Sequence, residues 1–285
     1  MIIDRLLGDV PLRDFIDHFF LRQPFSRPQA AAEYLSLGDW SVLEAILSQP
    51  DADVLVVKQG ERWEGDRLPT FAEARELHAD GYTVLARHAE RCHPGIAELA
   101  AGFAADFAAP IDVHLYYTPG GSHGFGWHYD AEDVFILQTA GSKEYSLRKN
   151  TVNPWPLVET LPHDMRYPRE IMPLSKCRLA AGDWLYIPHG WWHRAEADAD
   201  SISLAVGVLS PAAIDVYDFL RERLLSSLRW RQRLPVAGQA SASAAAELTA
   251  RMHEMFTELG ADLAKLFRDE ALARDYVSWR GSLHR

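Results

Sequence analysis

Up to Pro110 the apolar positions shift between helical and extended spacing, which predicts a mixed region of helix and strand. Residues 14–20 and 41–47 read as helices, the second following Asp39. Val54-Leu55-Val56-Val57 is a short apolar run closed by Gly60, as expected of a buried strand. Thr70-Phe71-Ala72-Glu73 has the spacing of a capping box and opens a helix that stops near Gly81. Residues 82–85 form another strand. Ile96, Leu99, Phe103 and Phe107 return to helical spacing before Pro110.

Beyond Pro110 the pattern becomes extended. A strand is expected over 112–117, another at Val134-Phe135-Ile136-Leu137, and a third at Lys143-Glu144-Tyr145-Ser146-Leu147. On the last of these, Lys143, Tyr145 and Leu147 share one face. Residues 149–174 hold five prolines and little periodicity, so they read as a long irregular excursion able to wall a substrate entrance. Past residue 209 helical spacing resumes. Ser210-Pro211 looks like a helix start. Ile214, Tyr217, Leu220, Leu224 and Leu228 form one stripe. A loop rich in small residues over 235–243 separates it from a second, Leu248, Met252, Phe256, Leu259, Leu263 and Phe267, ending near Asp275-Tyr276-Val277. The expected division is 1–209 and 210–285, with no internal repeats.

Apolar content of 48% and charged content of 24% place the chain among ordinary globular proteins. No apolar run is long enough to span a membrane. The N-terminus lacks the basic and apolar segments of a signal peptide. Cys92 and Cys177 have no metal-type spacing and read as reduced thiols, so the expected location is the cytoplasm. A net charge of -11 argues against direct binding to nucleic acid. It suits a basic protein partner, although acidity also serves solubility alone.

One constellation carries chemistry. His128-Tyr129-Asp130 follows the Gly-rich loop that starts at Thr118-Pro119-Gly120-Gly121-Ser122. His193 follows Gly182-Asp183-Trp184-Leu185-Tyr186-Ile187-Pro188-His189-Gly190-Trp191-Trp192. On an extended segment, residues 128 and 130 point to one side. A histidine from a distant strand can complete one face of an octahedral metal and leave the other positions open. That is the two-histidine, one-carboxylate arrangement of non-haem Fe(II) oxygenases.

These motifs, with Val134-Phe135-Ile136-Leu137-Gln138 and Gly141-Ser142-Lys143 between them, occur in an order that resembles the Jumonji-C cupins. The resemblance covers residues 112–209, about a third of the chain, and is nearest to the ribosomal-oxygenase-like branch of Fe(II)- and 2-oxoglutarate-dependent protein hydroxylases. It implies a mainly β fold with α additions: a double-stranded β-helix, or cupin barrel, with an N-terminal α/β extension and a C-terminal helical region. His128, Asp130 and His193 would be the iron ligands, and Lys143 would pair with the distal carboxylate of 2-oxoglutarate. Tyr116 and Ser203 match positions that touch the co-substrate, with ordinary strand packing as the competing reading for each. His114 departs from the asparagine often found in relatives and is expected to be a core histidine. His123 and His189 are expected to be exposed bystanders. Of Trp191 and Trp192, one is expected to wall the site and the other to pack the barrel.

The resemblance further implies a dioxygen-using hydroxylase acting on a protein side chain, with ribosomal proteins as candidates, and a homodimer formed through the C-terminal helices. The same chemistry on a free amino acid or small metabolite is an alternative, and a metal-binding cupin without oxygenase activity is another. Hydroxylation and demethylation are not separated by sequence, because hydroxylating an N-methyl group leads to its loss.

Overall fold

In a computed structural model of the chain, residues 1–162, 165–167, 170–236 and 242–283 are described. They divide into two units, Met1–Ser210 and Pro211–Arg285. The first contains α1 (Ile2–Leu7), α2 (Leu12–His18), β1 (Phe25–Arg27), α3 (Trp40–Leu47), β2 (Asp53–Lys58), β3 (Glu61–Arg62), α4 (Phe71–Ala79), β4 (Thr83–Arg87), α5 (Pro94–Phe107), β5 (Ile111–Thr118), β6 (Asp133–Ala140), β7 (Ser142–Arg148), β8 (Ser175–Ala180), β9 (Trp184–Ile187), β10 (Trp192–Ala197) and β11 (Ser201–Val208). The second contains α6 (Val216–Leu224), α7 (Ala242–Phe267) and α8 (Glu270–Leu283).

The strands form an eight-stranded sheet, ordered β1-β9-β6-β11-β5-β4-β2-β3, and a three-stranded sheet, β10-β7-β8. Their pairings are antiparallel. This is the expected double-stranded β-helix, with the large sheet extended by N-terminal strands.

Strand β6 explains how the layers stack. Its apolar run is buried on both faces, the situation that removes polar alternation from a strand. Phe135 and Leu137 face the larger core, shared with α1, α3 and α5. Val134 and Ile136 face the space between the sheets, where Tyr145, Leu147, Leu179, Leu185 and Ile187 meet them. The N-terminal helices brace the barrel through aromatic contacts. Phe15 packs edge-on against Tyr186 at 5.4 Å, and Trp184 Nε1 donates to the Leu6 carbonyl at 2.7 Å.

The capping box is present: the Thr70 side chain accepts from Glu73 N while the Glu73 carboxylate accepts from Thr70 N. Strand β8 adds to the expected elements: Cys177 and Leu179 alternate with exposed Lys176 and Arg178, a signal too short to stand out beside the irregular segment before it. Pairing with β7 holds it in place.

The C-terminal unit differs from expectation in detail. Ser210 does not cap a helix; its hydroxyl donates to Asp133 Oδ2 at 2.8 Å. Helix α6 begins at Val216, after a 3-10 turn over Ala213–Asp215. Ile214, Tyr217 and Leu228 are exposed, so the first stripe is only partly buried. Phe219, Leu220 and Leu272 form a small core with Tyr276 and Trp279. Residues 270–283 make a separate helix, α8, rather than the tail of the second stripe. No residue of α7 is buried. Of the two expected loops, residues 163–164, 168–169 and 237–241 lie outside the described residues. No helix among the described residues is long and apolar enough to cross a membrane.

Candidate active site

His128, Asp130 and His193 converge where the small sheet meets the chain entering β6. His128 N donates to the His193 carbonyl at 3.1 Å, and His193 N donates to the His128 carbonyl at 2.8 Å. This exchange sets the two imidazoles side by side, with ring centroids 4.1 Å apart. Asp130 is tied in by Gly190 N, which donates to its carbonyl at 2.8 Å. Gly190 has φ 74°, and a Cβ there would lie 2.7 Å from the Pro154 carbonyl, so the turn before β10 requires glycine. His193 Nε2 lies 3.4 Å from Asp130 Oδ2. Potential ligand atoms of the three residues lie within 4.8 Å of one another.

Backbone carbonyls decide which ring nitrogens are free. His128 Nδ1 is 2.9 Å from the Gly126 carbonyl, and His193 Nδ1 is 3.0 Å from the Trp191 carbonyl. A carbonyl only accepts, so each Nδ1 carries a proton and each Nε2 is the nitrogen left to serve as a ligand. Burial, with His128 alongside, pushes His193 down to about 4, which keeps its imidazole neutral near neutral pH. Two imidazoles and a carboxylate, with potential ligand atoms this close together, are a donor set that would suit Fe(II).

That cavity has a volume of about 370 Å³ and runs between the sheets. At its inner end Lys143 is 4% exposed, and its Nζ donates to Ser203 Oγ at 3.0 Å. The ammonium also lies 5.4 Å from the centre of the Tyr116 ring. Burial pushes Lys143 down to about 7. Among the described residues no carboxylate pairs with it, so the inner end is a cation awaiting an anion. Lys143, Tyr116 and Ser203 thus meet at one place and line the cavity with the His-Asp-His group.

The half-exposed mouth carries Asp112, His114 and Glu132. His114 is therefore not the core histidine expected. Burial lowers its pKa, but the Asp112 carboxylate beside it outweighs that and raises it overall. Glu132 is pushed up to about 7 by burial, then by Asp130 and Asp112. A Cβ on residue 207 would come within 2.2 Å of Glu132 Oε2, so Gly207 makes room for this carboxyl. Glu132 stands two residues after Asp130, at a bend just before β6, and both line the cavity.

Two buried acids that carry no sequence signal support the site. Asp133 accepts from Tyr186 Oη at 2.6 Å and lies 3.4 Å from His189 Nδ1. His189 is consequently held by a buried acid, not an exposed bystander. His123 is half-buried in its loop. Glu170 accepts from Trp192 Nε1 at 3.1 Å and from Thr151 Oγ1 at 2.6 Å. Trp192 meets the Tyr129 ring edge-on at 4.7 Å, while Trp191 packs against the inter-sheet core.

Residues 96–216 match the JmjC domain family. The bifunctional lysine-specific demethylase and histidyl-hydroxylase NO66 of Dictyostelium discoideum is 33% identical over 135 residues, covering 46% of this chain and 26% of that protein. Ribosomal oxygenase 1 of Gallus gallus is 30% identical over 138 residues, covering 46% of this chain and 23% of that protein. The chain thus spans about a quarter of the length of these two relatives. Among solved structures, the Escherichia coli ribosomal oxygenase YcfD in complex with cobalt and 2-oxoglutarate superposes with a TM-score of 0.57 at 18% identity, covering 88% of this chain and 67% of that one. At that identity the match speaks for the fold. Residues 96–216 are thus similar to the JmjC domain family, and 46% of the chain is similar in sequence to the two oxygenase relatives.

Proposed function

We propose that this protein is an Fe(II)- and 2-oxoglutarate-dependent oxygenase that hydroxylates a side chain of a protein, with ribosomal proteins as the first candidates. One observation carries the reading: a buried Lys143, with no carboxylate partner among the described residues, shares a cavity with a His-Asp-His group whose Nδ1 atoms are held by backbone carbonyls. The cavity therefore offers a metal face at one place and a buried cation at another, the two things a chelating dicarboxylate needs. The YcfD complex with cobalt and 2-oxoglutarate supports this by analogy.

In this reading His128, Asp130 and His193 hold the iron, and Lys143 receives the distal carboxylate with Ser203 and Tyr116 beside it. When bound, iron with 2-oxoglutarate and dioxygen supplies the oxidation, releasing succinate and carbon dioxide as one oxygen atom enters a substrate C–H bond. The chain's own contribution is orientation and exclusion of water. Val134, Ile136, Leu85 and Ala205 give the cavity apolar walls. The acidic mouth at Asp112 and Glu132 and the overall charge of -11 favour a basic partner. The exposed Val152, Trp155, Val158 and Ile171 offer apolar contact in the segment after β7.

Assembly belongs to the same proposal. Helix α7 buries no residue and leaves Phe256 and Phe267 more than half exposed, so a second copy of the chain is the expected cover. The expected location is the cytoplasm. The deciding experiment is a succinate-formation assay with candidate ribosomal proteins and free amino acids, read by mass spectrometry. A ribosomal protein that gains one oxygen atom supports the proposal. Hydroxylation of a free amino acid with no change in any protein would replace it with the small-molecule reading.

A further inference from the structure

A second group of metal-type donors lies beside the cavity and shares Asp112 with its lining, apart from the His-Asp-His group. His88 and Glu90 follow β4, and Asp112 stands near the start of β5. Potential ligand atoms of the three lie within 4.8 Å of one another. His88 Nδ1 faces Asp112 Oδ1 at 2.8 Å, and His114 Nδ1 approaches the same oxygen at 3.4 Å. Two imidazole nitrogens and a second carboxylate thus converge around one carboxylate oxygen.

Burial pushes the Asp112 carboxyl up, but the His114 and His88 imidazoles beside it outweigh that and hold it below its usual range. His88 Nδ1 and Asp112 Oδ1 are both buried, and neither completes an aligned hydrogen bond despite the short separation. Such atoms normally find a partner, and leaving them without one is costly. Glu90 is held in place from the other side: its Oε2 accepts from Val113 N at 3.0 Å, and Arg91 Nε approaches its Oε1 at 3.4 Å. Imidazole nitrogen and carboxylate oxygen brought this close together suit a borderline divalent cation, which takes both kinds of ligand.

We infer that His88, Glu90 and Asp112 form a second divalent-cation site, of the zinc type, at the cavity mouth. The cation satisfies the two orphaned atoms and clamps the turn after β4 to β5. It also neutralises the Asp112 and Glu90 carboxylates, so occupancy of the rim controls which side chains enter.

The test is metal stoichiometry on the full chain, dialysed against Zn²⁺ alone and measured by elemental mass spectrometry, with circular dichroism as the folding check. Wild type should hold about two zinc ions per chain, one in each group. His88→Ala and Glu90→Gln should each hold about one, and His88→Ala combined with Asp130→Ala should hold none. Glu90→Gln keeps the shape of the side chain and decides the matter if His88→Ala fails to fold. A wild type that binds one zinc, lost on Asp130→Ala, overturns the inference. So does retention of both ions in the two rim variants. If His88→Ala loses an ion while Asp130→Ala loses none, the rim site stands and the proposed iron site fails instead.

Discussion

Lys143 and Ser203 belong to different sheets, yet the Lys143 ammonium donates to the Ser203 hydroxyl at 3.0 Å across the inner end of the cavity. A single hydroxyl is poor compensation for a buried positive charge. The contact identifies the point in the barrel where an anion gains most.

Removing that cation should weaken the co-substrate and spare the metal. Lys143→Ala should cost about 2 kcal/mol of 2-oxoglutarate binding, roughly 30-fold in affinity. Iron content, measured by elemental analysis, should be unchanged. Unaltered 2-oxoglutarate affinity by calorimetry would mean that the carboxylate is held elsewhere.

Lys143 also predicts a pH dependence. Burial places it at about 7, against 10.5 for the ordinary group. Between those values the unfolded chain holds a proton that the folded chain has lost. Stability without co-substrate should therefore rise with pH across that window, and the cost is fully present below about 7. Urea unfolding over this range should show the slope in wild type and a smaller one in Lys143→Met. Binding of the dicarboxylate should restore the ammonium, so calorimetry in buffers of different ionisation enthalpy should register proton uptake above about pH 7. Equal slopes in the two proteins would rule out Lys143 as the titrating group.

The metal ligands should be separable from the fold. Asp130→Ala and His193→Ala, singly and together, should lose tight Fe(II) binding and turnover while keeping the wild-type circular dichroism spectrum. The barrel survives because its two cores are built from other residues. Full iron content in the double variant would remove the assignment.

Glu170 should matter for stability beyond its place in an irregular segment. Its carboxylate accepts from the Trp192 indole and from Thr151, next to the strand that carries His193. Glu170→Ala leaves those donors unpaired and should destabilise the first unit by about 2 kcal/mol in urea unfolding. A change under about 0.5 kcal/mol would make the contact incidental.

The C-terminal helices should hold two copies together. Light scattering at micromolar concentration should give the mass of a dimer, and Phe256→Glu should shift it toward the monomer by placing a charge on the exposed face of α7. A wild-type monomer would contradict the assembly.

Sequence alone carried the local features. Thr70 and Glu73 identify a helix start because a cap is made by residues three apart. The run from Val134 to Leu137 marks a strand buried on both faces because burial removes its polar positions. Motif order was enough to bring His128, Asp130, His193 and Lys143 forward as one site. Tertiary structure decided what depends on partners distant in the chain. Only the pairing of β5 with β11 and of β7 with β10 brings Tyr116, Ser203 and Lys143 to one point. Only folding buries Asp133 beneath His189, ties Glu170 to Trp192, and turns His114 toward Asp112 at the rim. A polar side chain has the same local signature whether it meets water or another buried group. Its role is set by which strand lies opposite, and that register belongs to the barrel as a whole.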